Sequence, residues 1–124
     1  MKVIYGIENY KPLKSCALTI GTFDGVHVGH QKIIRRLISV SKNKSIHPVV
    51  LTFFPHPRMI LQSDISIKLI DTLEEKIHLL KKLKIGTLII HPFSKSFSRM
   101  AANEFVRDII VKSLSVKYLI IGYD

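Results

Sequence analysis

The sequence predicts an α/β fold, a parallel β-sheet covered by helices on both faces. Three observations predict it: four short apolar runs recur along the chain, segments of helical periodicity separate them, and the clusters of chemically capable residues fall directly after the runs. Parallel strands need a long crossover between them, which the intervening helices supply. Strands buried on both faces read as continuous apolar runs rather than as alternating ones.

The first run is Cys16-Ala17-Leu18-Thr19-Ile20. A helix is expected from Gln31 to about Lys42, because Ile33, Ile34, Leu37, Ile38 and Val40 recur at helical spacing. The second run, Pro48 to Phe53, is followed by residues 55–70, which have no clean period, contain Pro55, Pro57 and the polar turn Gln62-Ser63-Asp64, and read as a loop or lid. A second helix is expected from Leu73 to Lys84, with Leu73, Ile77, Leu80 and Leu83 as its apolar stripe and Thr72 with Glu75 as a capping box. It leads into the third run, Thr87 to Ile90. The last helix, Ala102 to Leu114, is expected to bury Phe105, Val106, Ile109 and Ile110 before the fourth run, Tyr118 to Ile121. No repeat, low-complexity tract or linker interrupts this order, so residues 1–124 read as a single domain.

Nineteen Lys and Arg against nine Asp and Glu give a formal charge of +10, a field that draws in anions of every kind. The basic residues are spread over several helices, from Lys32, Arg35 and Arg36 through Lys81, Lys82 and Lys84 to Lys112 and Lys117. Without one aromatic-studded strip, they read as solvated helix faces, and nucleic acid is not the expected partner. No stretch approaches the ~20 apolar residues of a membrane span. The start, Met1-Lys2-Val3-Ile4-Tyr5-Gly6, lacks the layout of a signal peptide, and the single cysteine excludes an internal disulfide. These features together lead us to expect a cytoplasmic protein.

The most informative segment is Gly21-Thr22-Phe23-Asp24-Gly25-Val26-His27-Val28-Gly29-His30, between the first run and the first helix. Glycines allow close approach of a ligand to main-chain nitrogen, and a helix start presents unpaired N–H groups and the positive end of the dipole, so the segment reads as a phosphate site. His27 and His30, three apart, would share one face of the first helical turn and grip one phosphate together. A zinc pair would need further ligands, and Cys16 reads as a core residue of its strand. Asp24 reads as a turn residue, bonding nearby main-chain N–H groups, rather than as a general base.

This decapeptide resembles the signature Gly-x-Phe-Asp-Gly-x-His-x-Gly-His of the HxGH nucleotidyltransferases. Thr52-Phe53-Phe54-Pro55-His56-Pro57 follows the next strand, Phe93-Ser94-Lys95-Ser96-Phe97-Ser98 leads to Asn103-Glu104-Phe105-Val106, and a further element begins at Gly122-Tyr123-Asp124. With these motifs in this order, the chain is similar from Met1 to Asp124 to the FAD synthetase modules of bacterial bifunctional riboflavin kinase/FMN adenylyltransferases. The resemblance implies a Rossmann-like sheet and transfer of adenylyl from ATP to FMN, giving FAD and pyrophosphate in flavin cofactor biosynthesis, with Mg²⁺ accompanying ATP. It implies His27 and His30 as the catalytic residues. Gly21, Thr22, Phe23, Asp24, Gly25 and Gly29 would hold the ATP phosphates, and Pro55, His56, Pro57 and Asp124 would stand on the FMN side.

In that family the element beginning at Gly122 continues into a Phe-Gly turn, a further strand, a Ser-Ser-Thr-x-x-Arg segment and then a riboflavin kinase barrel. The resemblance therefore implies a domain lacking the family's last strand and that barrel, with Arg58 and Arg99 as available cations. Such a chain is expected to make little or no FAD alone and to self-associate through an exposed sheet edge. Two alternatives stay open at this level. One is another HxGH enzyme, acting on pantetheine phosphate or glycerol phosphate, against which stand Phe23-Asp24-Gly25 and Pro55-His56-Pro57. The other is a non-catalytic nucleotide-binding fragment.

Overall fold

A computed structural model of the chain describes residues 1–12, 14–23, 28–54 and 72–121. Its strands are β1 (Lys2–Tyr5), β2 (Cys16–Ile20), β3 (His47–Phe53), β4 (Thr87–His91) and β5 (Val116–Ile120), joined as one sheet in the order β1-β4-β3-β2-β5. Every pairing is parallel: Lys2 lies beside Thr87, Val49 beside Thr87, Leu18 beside Val49 and Leu18 beside Leu119. The four apolar runs are thus β2 to β5. The sequence reading missed β1, because only Val3 and Ile4 of its four residues are shielded and both ends are exposed, which leaves no apolar run to detect.

The alternation of side chains across the sheet builds two cores. Ala17, Val50, Leu88 and Ile90 face one side, where they join Ile34 and Leu37 of α1 (Val28–Lys44) and Leu80 of α2 (Leu73–Lys82). Cys16, Leu18, Val49, Leu51 and Ile89 face the other, with Ile7 and Tyr10 from a 3₁₀ turn at Ile7–Asn9 and with Ile110 and Leu114. Helices therefore cover both faces. α1 starts three residues earlier than its apolar pattern suggests, since Val28, Gly29 and His30 extend it toward the loop. The expected capping box on α2 is present: Thr72 Oγ1 accepts from the Glu75 N–H at 3.1 Å.

After the one-turn helix α3 (Lys95–Ser98), α4 (Ala102–Glu104) runs on as a π-helix over Phe105–Ser113. Its last turn closes with Leu114 N–H donating to Ile109 C=O at 2.9 Å, a five-residue step. The wider turn corrects the expected stripe. Phe105, Ile110 and Leu114 turn toward the sheet, whereas Val106, expected in the core, is 50% exposed and shares the outer face with Val111 at 57%.

β3, β4 and β1 are laid down on one side of β2 and β5 on the other, so the strand order reverses at β2. Ligands in open α/β sheets bind beyond the carboxyl ends of the strands at such a reversal. The glycine- and histidine-bearing loop leaves β2 at that point.

Candidate nucleotide site at the end of strand β2

Strand β2 hands over to the loop through bonds to β3. Gly21 N–H donates to Leu51 C=O at 3.1 Å, and Thr52 Oγ1, itself buried, donates to Thr22 C=O at 3.2 Å. Phe23 follows with φ of 52°, a left-handed conformation, and only 2% exposure. Gly21 does not take a left-handed φ, so the backbone irregularity expected of a glycine falls on the aromatic residue. A Cβ at Gly21 would lie 2.9 Å from Phe23 Cε2, so glycine serves here to make room for that ring.

His30 is the third residue of α1 and is 8% exposed. Its imidazole meets the Phe23 ring nearly edge-on, with centroids 5.2 Å apart and planes at 69°. Gly29, one residue before it, is exposed at the helix start, where the positive end of the helix dipole lies. Asp24, Gly25 and His27 lie outside the described residues, as do Pro55, His56 and Pro57, Arg58 and Asp124.

The third motif is brought to the same end of the sheet. Ser94 caps α3 by accepting from Phe97 N–H at 3.1 Å, and Phe97 packs 5.5 Å from Phe53, 5.0 Å from His91 and 6.1 Å from Phe105. Phe93 closes the group, 5.6 Å from Phe53. These aromatics form a platform over the ends of β3 and β4. Arg99, at the end of α3, is an exposed cation beside it.

Two features escaped the sequence reading. His91 Nδ1 accepts the backbone N–H of Ile7 at 3.0 Å, with the Glu8 carboxylate 3.9 Å away; burial lowers its pKa and Glu8 partly opposes that. A hollow of about 280 Å³ opens beyond β1 and β4, lined by Tyr5, Glu8, Phe54, Leu73 and Ile90. No single-residue signal announces either, since both depend on β1 lying next to β4.

Cys16 is fully buried, its Sγ donates to Leu114 C=O at 3.3 Å, and burial pushes its pKa up to about 11. It is a core thiol, as its place in the apolar run suggested. Among the described residues, no group of three or more His, Cys, Asp and Glu side chains could hold a metal ion, and no helix is long and apolar enough to cross a membrane.

A Rossmann-like parallel sheet, with a left-handed Phe23 and a buried His30 at a helix start set where the strand order reverses, defines an α/β domain with a candidate ligand site at that reversal. Residues 10–124 match the family model described as FAD synthetase, and the chain belongs to that family. It is 38% identical over 125 residues to a bifunctional riboflavin kinase/FMN adenylyltransferase of Buchnera aphidicola subsp. Schizaphis graminum, with 100% of this chain and 40% of the relative aligned. It is 33% identical over 126 residues to that of Escherichia coli K12, again covering 100% and 40%. The protein of the same name in Bacillus subtilis 168 is 34% identical over 108 residues, covering 86% of this chain and 34% of its own length. This chain thus spans about 40% of the length of the first two. The crystal structure of a macrolide-efflux protein from Streptococcus pneumoniae superposes with a TM-score of 0.83 and 23% identity, over 97% of this chain and 40% of that one, a likeness of fold.

Proposed function

We propose that this chain is the adenylyl-transferring domain of an FMN adenylyltransferase, taking ATP and FMN to FAD and pyrophosphate. The observation that carries the reading is His30, buried on the first turn of α1 and packed against the ring of Phe23 within the family's motif. The cytoplasm, where ATP is at hand, is the compartment this reading implies.

An FMN phosphate oxygen attacks the α-phosphorus of ATP in line. The new P–O bond forms as the bond from the α-phosphorus to the bridging oxygen breaks, and pyrophosphate leaves. The nucleophile is the substrate's own phosphate, so no protein nucleophile is required, in keeping with the buried, high-pKa thiol of Cys16. What remains for the protein is to hold two anions together and to neutralise the charge that develops between them. His27 and His30 take that role as donors. Main-chain groups of Gly21, Thr22, Phe23, Asp24, Gly25 and Gly29 line the triphosphate, and Pro55, His56, Pro57 and Asp124 stand on the flavin side. Mg²⁺ enters as part of the MgATP substrate, since magnesium favours phosphate oxygens and water over an all-protein cage.

The test is chromatographic detection of FAD from FMN and MgATP, with the chain and its complete reading frame assayed in parallel. FAD from the complete protein, lost when His30 is changed, supports the reading. Turnover of ATP with pantetheine phosphate or glycerol phosphate in place of FMN would contradict it.

A further inference from the structure

We propose that Phe23 is a positioning residue for His30. Its ring, held in a strained backbone conformation, fixes the orientation of the imidazole, and Gly21 is glycine because a side chain there would displace that ring. The proposal rests on the adenylyl-transfer reading for its kinetic consequence, but not for its geometry.

Four non-glycine residues among those described have left-handed backbones: Phe23, Ser45, Lys84 and Ser115. Three of them close helices. Ser45 follows α1, Lys84 lies just beyond α2 and Ser115 follows the π-helix, which is the ordinary use of this conformation. Phe23 ends no helix. A left-handed backbone at a bulky aromatic residue persists only where its surroundings over-determine it, and such strain gathers at functional sites. Here the surroundings are a buried ring within the core that includes Ile34, Leu37 and Val50, and a preceding carbonyl, that of Thr22, tied to Thr52.

That ring has two further contacts. The imidazole of His30 meets it edge-on at 5.2 Å, an arrangement aromatic rings favour. A Cβ at Gly21 would stand 2.9 Å from Cε2 and 3.1 Å from Cζ. At 2% exposure the ring is enclosed, so a side chain at Gly21 would shift it and disturb its packing on His30. Gly21, Phe23 and His30 are therefore one mechanical unit. A catalytic group displaced by about 1 Å loses on the order of 100-fold in rate, so a side chain that pins the imidazole contributes without touching substrate.

The experiment is a double-mutant cycle of Gly21→Ala and Phe23→Leu in the complete reading frame, read by kcat and KM and by the His30 ring resonances in NMR spectra. We expect Phe23→Leu to lower kcat about tenfold or more, with the KM for ATP changed much less. Gly21→Ala should cost a similar factor when Phe23 is present and clearly less in the Phe23→Leu background, because the smaller side chain leaves room for the new methyl. The His30 Hδ2 and Hε1 resonances should move in Phe23→Leu while those of His91 stay in place. Phe23→Met, which fills the site with a flexible chain in place of a flat ring, is the reading variant if Phe23→Leu melts below the assay temperature. Additive effects of the two substitutions, or unmoved His30 resonances with wild-type kcat, overturn the proposal. The NMR result needs no turnover, so failure of the adenylyl-transfer reading would leave this one separately decided.

Discussion

Ile7 donates its backbone N–H to Nδ1 of His91 across 3.0 Å, so the ends of β1 and β4 are tied by an imidazole that must be unprotonated at that nitrogen. The tie joins the segment the sequence reading overlooked to the strand end that carries the aromatic platform.

A pH dependence follows from this bond. Burial lowers the folded-state pKa of His91 below the ordinary 6.5, Glu8 opposing, and lowers that of His47 likewise, there with help from Lys14. Between the lowered folded value and 6.5 the unfolded chain binds more protons, so stability rises with pH across that window. The contribution is complete above 6.5 and is lost as pH falls from there through the folded values. Melting temperatures measured from about pH 7.5 down to about pH 5 should fall, and His91→Leu should flatten part of the fall. His91→Leu should itself cost about 1–3 kcal/mol, because it leaves the Ile7 N–H without its acceptor.

His30→Ala in the complete protein should lower adenylyl transfer by at least ~100-fold, since it removes a donor aimed at transition-state charge. His27→Ala should do the same. The fold should survive His30→Ala, with a lowered melting temperature because the imidazole packs on Phe23. Steady-state kinetics and circular dichroism of the two variants check both parts.

Thr72→Ala should destabilise the domain by about 1 kcal/mol, since Thr72 Oγ1 takes the Glu75 N–H and bonds Glu75 Oε1 at 3.0 Å. Its effect on KM and kcat should be small beside that of His30→Ala. Denaturant titration measures the first and the kinetic assay the second.

Copies of the chain should pair along the outer edge of β5. Among the described residues this strand has β2 as its one sheet neighbour, and Leu119 and Ile121 are 41% and 74% exposed beside it. Light scattering after size exclusion should give a mass that rises with concentration, and Leu119→Lys should reduce it. A monomer at every concentration would refute the pairing.

Much of this architecture was legible in the residues. β2 to β5 announce themselves because they are apolar runs, and Thr72 with Glu75 marks the start of α2 by its own chemistry. β1 did not, since a four-residue edge strand lacks an apolar run, and Val106 was misplaced because periodicity assumes a four-residue helical step where the chain takes five. At the candidate site, the motif marked the segment after β2 and proposed Gly21, Phe23 and His30 as members. Their mechanical relation was hidden, because contact between the Phe23 ring, the imidazole and the space at Gly21 arises only once β2 and α1 are folded together.

The most direct test of adenylyl transfer is the fate of the ATP α-phosphorus. With α-labelled ATP, unlabelled FMN and the complete protein, label should appear in FAD and not in pyrophosphate, and labelled FAD should be lost in His30→Ala. Label that never enters FAD, or labelled FAD formed equally well by His30→Ala, would contradict it.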